Sequence, residues 1–325
     1  MSFPLGLAEG DKFAILAVEN AGTTVSAPGV LSDGTAVATG IPAEMIDEFW
    51  QTSLGTIAVQ GLHRCNLLFC RKRASAKPAV LDSEHEELGK RLTELFWLLQ
   101  LSGVPYYESA SVLKGSVLDG VINVRAHTNL SEHQFLPSTD AANTHVTMDR
   151  LNRAAEQAVT WRELLSLPEE YARFKRGLNV LLEGLQERFG QERLHAFVRA
   201  LEALILPEKG KTTKQFIDRG QTFSAVSPAA AAVLRECFDM RSVVEHMNDP
   251  HECLSSYPAE QREPIALRRV RQVETLARFS YMKLLANKPL LHHFRSDAKL
   301  GGFWNLPLAE RKALWGSQLN LESVV

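Results

Sequence analysis

The chain has 325 residues, of which 45% are hydrophobic and 23% are charged. This length allows two domains with well-buried cores, and this balance is ordinary for a soluble globular protein. The formal net charge of -2 gives no overall attraction for nucleic acids, so a polyanion would have to bind to a local basic surface.

The sequence offers no sign of membrane insertion or metal binding. No run approaches the roughly 18–20 apolar residues that a membrane-spanning helix needs, and the first residues lack the pattern of a secretory signal. We therefore expect a cytoplasmic protein without a membrane partner. The 4 cysteines match neither paired zinc ligands nor a disulfide framework, so reduced and mostly packed thiols are expected, and no metal or other cofactor is predicted.

The first half of the chain predicts a small mixed α/β domain. Runs rich in Val, Thr and Ala at residues 13–18, 35–39 and 56–70 predict strands, with turn-forming residues between the first two. A short helix is predicted over residues 43–52, and a longer one begins at a capping sequence that starts with Asp82. Two strands around a glycine-containing turn are expected as a hairpin within residues 106–129.

No motif in this first half identifies an activity. It has no glycine-rich phosphate loop, nucleophile elbow or paired-histidine zinc motif. The adjacent cations Arg71, Lys72 and Arg73 could contact phosphate, although a solvated strand end explains them more simply. The histidines within residues 127–145 lack the spacing of paired metal ligands, which favours a surface loop. A nucleotide transferase would need an acidic pair after a Gly-Ser turn, and none follows Ser53.

From residue 147 onwards the apolar spacing becomes helical. Residues 138–143 read as an exposed connection, so we expect two domains, residues 1–146 and 147–325. The fold class is therefore α+β, with a mixed N-terminal domain followed by a helical bundle that has a C-terminal helical extension. Helices are predicted over residues 149–166, 171–189, 191–206, 216–223 and 264–287, and a further helix is predicted to start at Pro228.

An arginine and a histidine lie five positions apart near the end of the helix that starts at Pro228. Arg241 carries a permanent charge, and His246 has a side chain whose ordinary pKa lies near neutrality. Together they could cleave a phosphodiester without a metal, because the imidazole can move protons while the guanidinium neutralises charge on phosphorus. On a regular helix they would point about 140° apart, so convergence requires a helix end near Glu245 or a second protomer.

The surroundings of this pair add a longer pattern. An ALEALILPEK segment at residues 200–209 precedes a helix that ends near Arg219, and the sequence FDMRSVVEH follows at residues 238–246. Segments of this kind in this order resemble the Apea-like group of HEPN domains, which are small helical bundles. The resemblance covers roughly residues 147–299 and is strongest over residues 197–246.

The resemblance implies a ribonuclease motif that two protomers usually complete in a shared cleft. It makes Arg241 and His246 the catalytic pair and Ser242 the polar residue that follows the arginine. It also implies that Glu202 and Arg219 brace the bundle and the cleft. The chain departs from the family pattern at two places, because many members have Asn or Asp in place of Ser242 and Gly after the histidine, where this chain has Met247.

The densest basic region follows the motif, in the helix predicted over residues 264–287 and just beyond it. This region could follow the phosphates of RNA, although a solvated helix face is the competing interpretation. The residues predicted to bind RNA are Arg219, Arg268, Arg269 and Arg271.

We therefore expect a metal-independent endoribonuclease of the HEPN type, acting in bacterial anti-phage defence or as a toxin. In this hypothesis RNA is cut by attack of the 2′-hydroxyl, and the partners are RNA, a second copy of the chain and an unidentified trigger bound by the N-terminal domain. The alternative hypothesis is a non-catalytic HEPN-like module for dimerisation or RNA binding, in which Arg241 and His246 have structural roles.

Overall fold

The structure is a computed structural model that describes residues 4–19, 24–25, 28–65, 67–76, 81–102, 109–130, 145–187, 189–246 and 249–324. The predicted connection at residues 138–143 and the position of Met247 lie outside the described residues. The chain divides into two compact units, Met1–Val159 and Thr160–Val325. This division lies within helix α3 (Met148–Leu165), whereas the expected boundary followed residue 146.

The first unit is built on an antiparallel sheet. Among the described residues, the sheet has six strands in the order β3-β4-β5-β1-β6-β7, and β2 pairs with β8 in parallel. The predicted hairpin is confirmed as β6 and β7, which are joined by Asp119 and Gly120 with φ angles of 54° and 74°. The strands are β1 (Asp11–Glu19), β2 (Thr24–Val25), β3 (Gly29–Val30), β4 (Ala36–Ala38), β5 (Leu67–Ala74), β6 (Ser109–Leu118), β7 (Val121–Asn129) and β8 (His145–Val146).

Two helices cover the central strand of this sheet. Helices α1 (Glu48–Arg64) and α2 (Ser83–Leu101) both contact β1, which is buried along nearly its whole length. Helix α2 begins at Asp82 as predicted, because the Asp82 carboxylate accepts hydrogen bonds from the first turn and completes a capping box with His85. The strand β1 is therefore apolar at consecutive positions rather than at alternate ones.

One prediction for this unit is wrong. The strand expected over residues 56–70 is helical as far as Arg64, and only Leu67–Ala74 is a strand. The helix continues across Gly55, whose φ of 78° kinks it. Beyond the kink, Val59 and Leu62 pack on the same core as Trp50, so burial outweighs the strand preference of the β-branched residues.

The three adjacent cations of β5 are paired with carboxylates. These contacts account for the cluster within the fold and favour the structural interpretation over phosphate binding. The pairs are Arg71 with Asp33, Lys72 with Asp11, and Arg73 with both Glu84 and Glu87.

The second unit is helical, so the predicted α+β fold class is confirmed. Within the described residues no helix is both long and apolar enough to cross a membrane. The helices that follow α3 are α4 (Ala172–Gln186), α5 (Gly190–Ile205), α6 (Thr212–Gly220), α7 (Pro228–Glu245), α8 (Ala259–Ala286), α9 (Lys288–Leu291), α10 (Asp297–Asn305) and α11 (Leu308–Trp315).

Small residues allow α4 and α5 to approach each other closely. A Cβ atom at Gly177 would lie 2.6 Å from the Cβ of Ala203, and one at Gly184 would lie 2.6 Å from the Cβ of Ala196. These two contacts run in opposite directions along the chain, so the helices form an antiparallel pair. Helix α8 closes against them, because the hydroxyl of Tyr281 donates a hydrogen bond to the carbonyl of residue 200 at 2.8 Å.

Helix α7 has defined ends. The Ser227 hydroxyl accepts a hydrogen bond from the backbone of Ala230, and Pro228 occupies the first turn, as its fixed φ favours. The helix ends at Glu245. The backbone N–H of His246 then donates to the carbonyl of Val243 at 3.0 Å, three residues back rather than four.

Candidate functional site

Arg241 lies near the end of α7, where its guanidinium is held between two carboxylates. Its Nη2 atom is 3.3 Å from Oε2 of Glu202 on α5, and its Nη1 atom is 2.7 Å from Oε2 of Glu245 on its own helix. Only 16% of the side chain is exposed, and the guanidinium lies 5.8 Å from the centre of the Phe238 ring. The buried Nε atom has no hydrogen-bond partner among the described residues. Arg241 is therefore fixed in a polar, partly dry setting.

Glu202 is the more buried of the two carboxylates. Its side chain is 17% exposed, compared with 36% for Glu245. Burial raises the pKa of Glu202, while the charge of Arg241 acts in the opposite direction. The structure thus brings together Arg241 and Glu202, two residues that the family resemblance had singled out.

His246 and Ser242 are placed differently from Arg241. His246 is the C-cap of α7 and is exposed, and Ser242 is half-buried on the helix. Neither side chain forms a hydrogen bond or an ion pair with another residue that the structure describes. Since the helix ends at Glu245, His246 is released from regular helical geometry, but no contact joins its ring to Arg241 within the chain.

A second histidine, which was not predicted as a site residue, lies beside Arg241. Nδ1 of His195, on α5, lies 3.9 Å from Oε1 of Glu245, the carboxylate that also binds Arg241. Its ring is 25% exposed. Burial and the positive charge of Arg241 lower the pKa of His195. The sequence feature that could have pointed to His195 is its spacing from Glu202. The two residues are seven positions apart, which puts both on one face of α5.

Two of the four arginines predicted to bind RNA use their N–H donors in contacts within the helical bundle. Arg219 is 14% exposed and donates to the carbonyls of Ile205 and Leu206, at the end of α5. Arg269 is buried, with Nε 2.6 Å from Oε2 of Glu236 and Nη1 2.8 Å from Oε1 of Gln272. In this arrangement neither guanidinium presents an open fork to a phosphate.

The other two predicted arginines are more accessible. Arg268 is exposed and donates to the backbone carbonyls of Glu322 and Val324. Arg271 is half-buried and forms no ion pair with a described residue. Several other cations of this region are also engaged, which leaves less free charge along α8 than the sequence suggests. The engaged cations are Arg262, Arg278, Lys283, Lys288 and Arg295.

The first unit contains a histidine with partners on both ring nitrogens. Nδ1 of His85 lies 3.0 Å from the Asp82 carboxylate, and Nε2 lies 2.9 Å from the hydroxyl of Ser116. This Asp–His–Ser arrangement resembles a hydrolase triad, but His85 and Ser116 are both almost fully buried. The Nδ1 atom also accepts the backbone N–H of Asp82 at 3.2 Å. The helix cap accounts for the contacts of Nδ1, the contact of Nε2 joins α2 to β6, and no substrate could reach the buried serine.

The described residues contain no cluster of side chains that could hold a metal ion. Cys65, Cys70 and Cys237 are buried and unpaired, and Cys253 is half-buried. Burial raises the pKa of Cys237 to about 12, so it remains a thiol near neutral pH. Packed, reduced thiols were expected at these positions.

No family model, curated protein or solved structure matches this chain. The resemblance to HEPN domains therefore remains a prediction that depends on the residues quoted for it.

Proposed function

We propose that the chain is a metal-independent endoribonuclease of the HEPN type, acting in the cytoplasm in bacterial anti-phage defence or as a toxin. The observation that carries the proposal is the placement of Arg241, whose guanidinium is positioned by the buried Glu202 and by a second, more exposed carboxylate. An arginine held in this way has a fixed orientation, and its guanidinium can bind a tetrahedral anion once one of the two carboxylates moves aside.

Glu245 is the carboxylate that a phosphate would displace. It pairs with Arg241 four positions earlier on the same helix and is 36% exposed. Pairs of this kind contribute only about 0.3–0.5 kcal/mol. Glu202 is more buried, so it would stay in place and orient the guanidinium while a phosphate oxygen replaces Glu245.

The proposed reaction needs one acid–base group and one cation. The 2′-oxygen forms a bond to phosphorus as its proton passes to His246, and the bond from phosphorus to the 5′-oxygen breaks as that oxygen takes up a proton from the protonated imidazole. Arg241 neutralises the charge on the phosphoryl oxygens, and Ser242 is a candidate hydrogen-bond donor. The products are a 2′,3′-cyclic phosphate and a 5′-hydroxyl.

The proposal includes a homodimer formed through the helical unit. His246 makes no contact with Arg241 of its own chain, so a second copy could complete the site by supplying its histidine. The first unit would then bind the trigger or restrain cleavage.

The test is cleavage of total RNA by the full chain in EDTA. We expect fragments with cyclic phosphate ends from the wild-type protein and none from His246→Ala, because the general base is lost. Equal cleavage by both proteins would point to a contaminating nuclease or to another site.

The alternative is a HEPN-like module that binds RNA or dimerises without cleaving. The ion pairs of Arg241 with Glu202 and Glu245 favour it, since a structural arginine would make the same contacts. Binding of RNA by both the wild-type protein and His246→Ala, with cleavage by neither, would support this alternative.

His195 is a second candidate for the general base, and the pH dependence of cleavage would identify its role. The groups that face it are Arg199 and Glu192 on α5 and Arg241 and Glu245 on α7. Its pKa is below the ordinary value of 6.5. If the neutral ring accepts the proton, kcat/KM should fall with acid only below pH 6.5.

The matched variant is His195→Gln, which keeps a polar side chain of similar size. If this variant loses most of the activity and its kcat/KM no longer falls at low pH, the general base is His195. Unchanged kcat/KM and an unchanged pH profile would leave His246 as the base.

A further inference from the structure

A groove lies over the antiparallel pair α4 and α5. Its volume is about 530 Å³, within the range of small-molecule and ligand sites. Its floor is formed by the close approach of Gly177 to Ala203, with Val180 and Pro207 beside them. The groove is open to solvent rather than enclosed, so a ligand could lie across it without being buried on all sides.

Three arginines line this groove. Arg173 is bound through two nitrogens to the Asp297 carboxylate, at 3.0 and 3.2 Å. Arg176 and Arg199 are exposed, and neither forms an ion pair within bonding distance of a described residue. They thus differ from Arg219 and Arg269, whose donors are occupied in the bundle.

The groove reaches the candidate site through one residue. Glu202 lines it, and the carboxylate of Glu202 also binds Arg241 at 3.3 Å. A chain of phosphates lying along Arg176 and Arg199 would therefore pass beside the carboxylate that binds Arg241. Glu183 and Glu202 are the acidic groups of the lining, and Glu202 is already paired with Arg241.

We infer that this groove binds the phosphodiester backbone of single-stranded RNA and leads it to Arg241. The inference deepens the proposed function and rests on it for the identity of the ligand. Arg176 and Arg199 each bind a phosphate through the planar fork of the guanidinium. The described residues that line the groove include no aromatic side chain, so binding depends on the backbone and is largely independent of sequence.

The experiment measures binding directly and does not depend on cleavage. The probe is a fluorescein-labelled single-stranded RNA of about 12 nucleotides with 2′-O-methyl groups, which block attack by the 2′-oxygen. Its dissociation constant for the full chain is measured by fluorescence anisotropy at several salt concentrations. For single strands the logarithm of affinity falls with the logarithm of salt concentration with a slope of roughly -0.7 for each phosphate neutralised.

We expect Arg176→Gln combined with Arg199→Gln to weaken binding and to reduce the salt slope by about 1.4, because two phosphate contacts are lost. Both side chains are exposed, so the double variant should keep the urea midpoint of the wild-type protein. The matched control is Arg235→Gln, which removes an exposed arginine of α7 that does not line the groove and should leave both the affinity and the slope unchanged.

An unchanged affinity in the double variant would overturn the inference, as would an equal loss in Arg235→Gln. Equally tight binding of a duplex of the same length would overturn the assignment to a single strand. Failure of the proposed function has a different signature. In that case the wild-type protein would bind the blocked probe with the expected dependence on Arg176 and Arg199 but would cleave no unmodified RNA.

Discussion

Replacing Arg241 with alanine is expected to lower the rate of RNA cleavage by about 10²–10³-fold, the usual cost of removing a group that stabilises developing charge. A second effect should accompany it. Glu202 loses the cation that opposes the effect of its burial, so the pKa of Glu202 should rise further and its charged form becomes more costly. We therefore expect an additional loss of about 1–3 kcal/mol of stability, measured by urea denaturation.

Two further variants separate the catalytic role of Arg241 from its structural role. Arg241→Lys keeps the positive charge near Glu202 but has no planar fork for a phosphate, so it should retain most of the stability and still lose cleavage. Arg241→Ala combined with Glu202→Gln removes the buried charge and should recover stability without recovering cleavage. Wild-type cleavage by the lysine variant would contradict a catalytic role for the guanidinium.

Much of the fold could be predicted because local signals agree with burial. Helix α2 has a capping sequence at Asp82 and an apolar stripe behind it, and both its start and its type were predicted correctly. The hairpin of β6 and β7 could be predicted for the same reason, since Asp119 and Gly120 favour the positive φ angles of a tight turn.

Helix α1 could not be predicted in full because two local signals conflict with its packing. Gly55 and the β-branched residues after it favour a new strand. The burial of Leu62 against the core of the first unit keeps the chain helical, with a kink at the glycine. Contacts with distant strands decide such cases, and they are not visible in a local pattern.

The candidate site, like the fold, could be predicted only in part. Arg241 and Glu202 were singled out from sequence segments 39 positions apart, and the structure joins them by an ion pair. The proximity of His195 was missed, because the sequence does not tell which face of α5 meets α7. The partners of Arg269 on α8 could not be predicted either, since composition counts charges but not the carboxylates and side-chain amides that pair with them.

Replacing Glu274 with alanine is expected to destabilise the helical unit by about 3–5 kcal/mol. Glu274 is buried in α8, and its carboxylate accepts from Arg193 at 2.7 Å and from Arg278 at 3.2 Å. Arg193 is also buried, and only 6% of its side chain is exposed. Removing the Glu274 carboxylate would leave the guanidinium of Arg193 without its counter-charge inside the bundle. This is far more costly than losing a surface pair. The urea midpoint, with the slope of the transition, measures the effect.

The matched control is Glu163→Ala, which breaks the exposed pair with Lys288. The side chains of that pair are 52% and 63% exposed, so the change should stay within about 1 kcal/mol. Combining Glu274→Leu with Arg193→Met should recover much of the stability, because an apolar pair removes both buried charges together. A loss in Glu274→Ala no larger than in Glu163→Ala would contradict the buried pair. The outcome bears on function because Arg193 ties α5 to α8, and α5 carries both His195 and Glu202 to the side of Arg241.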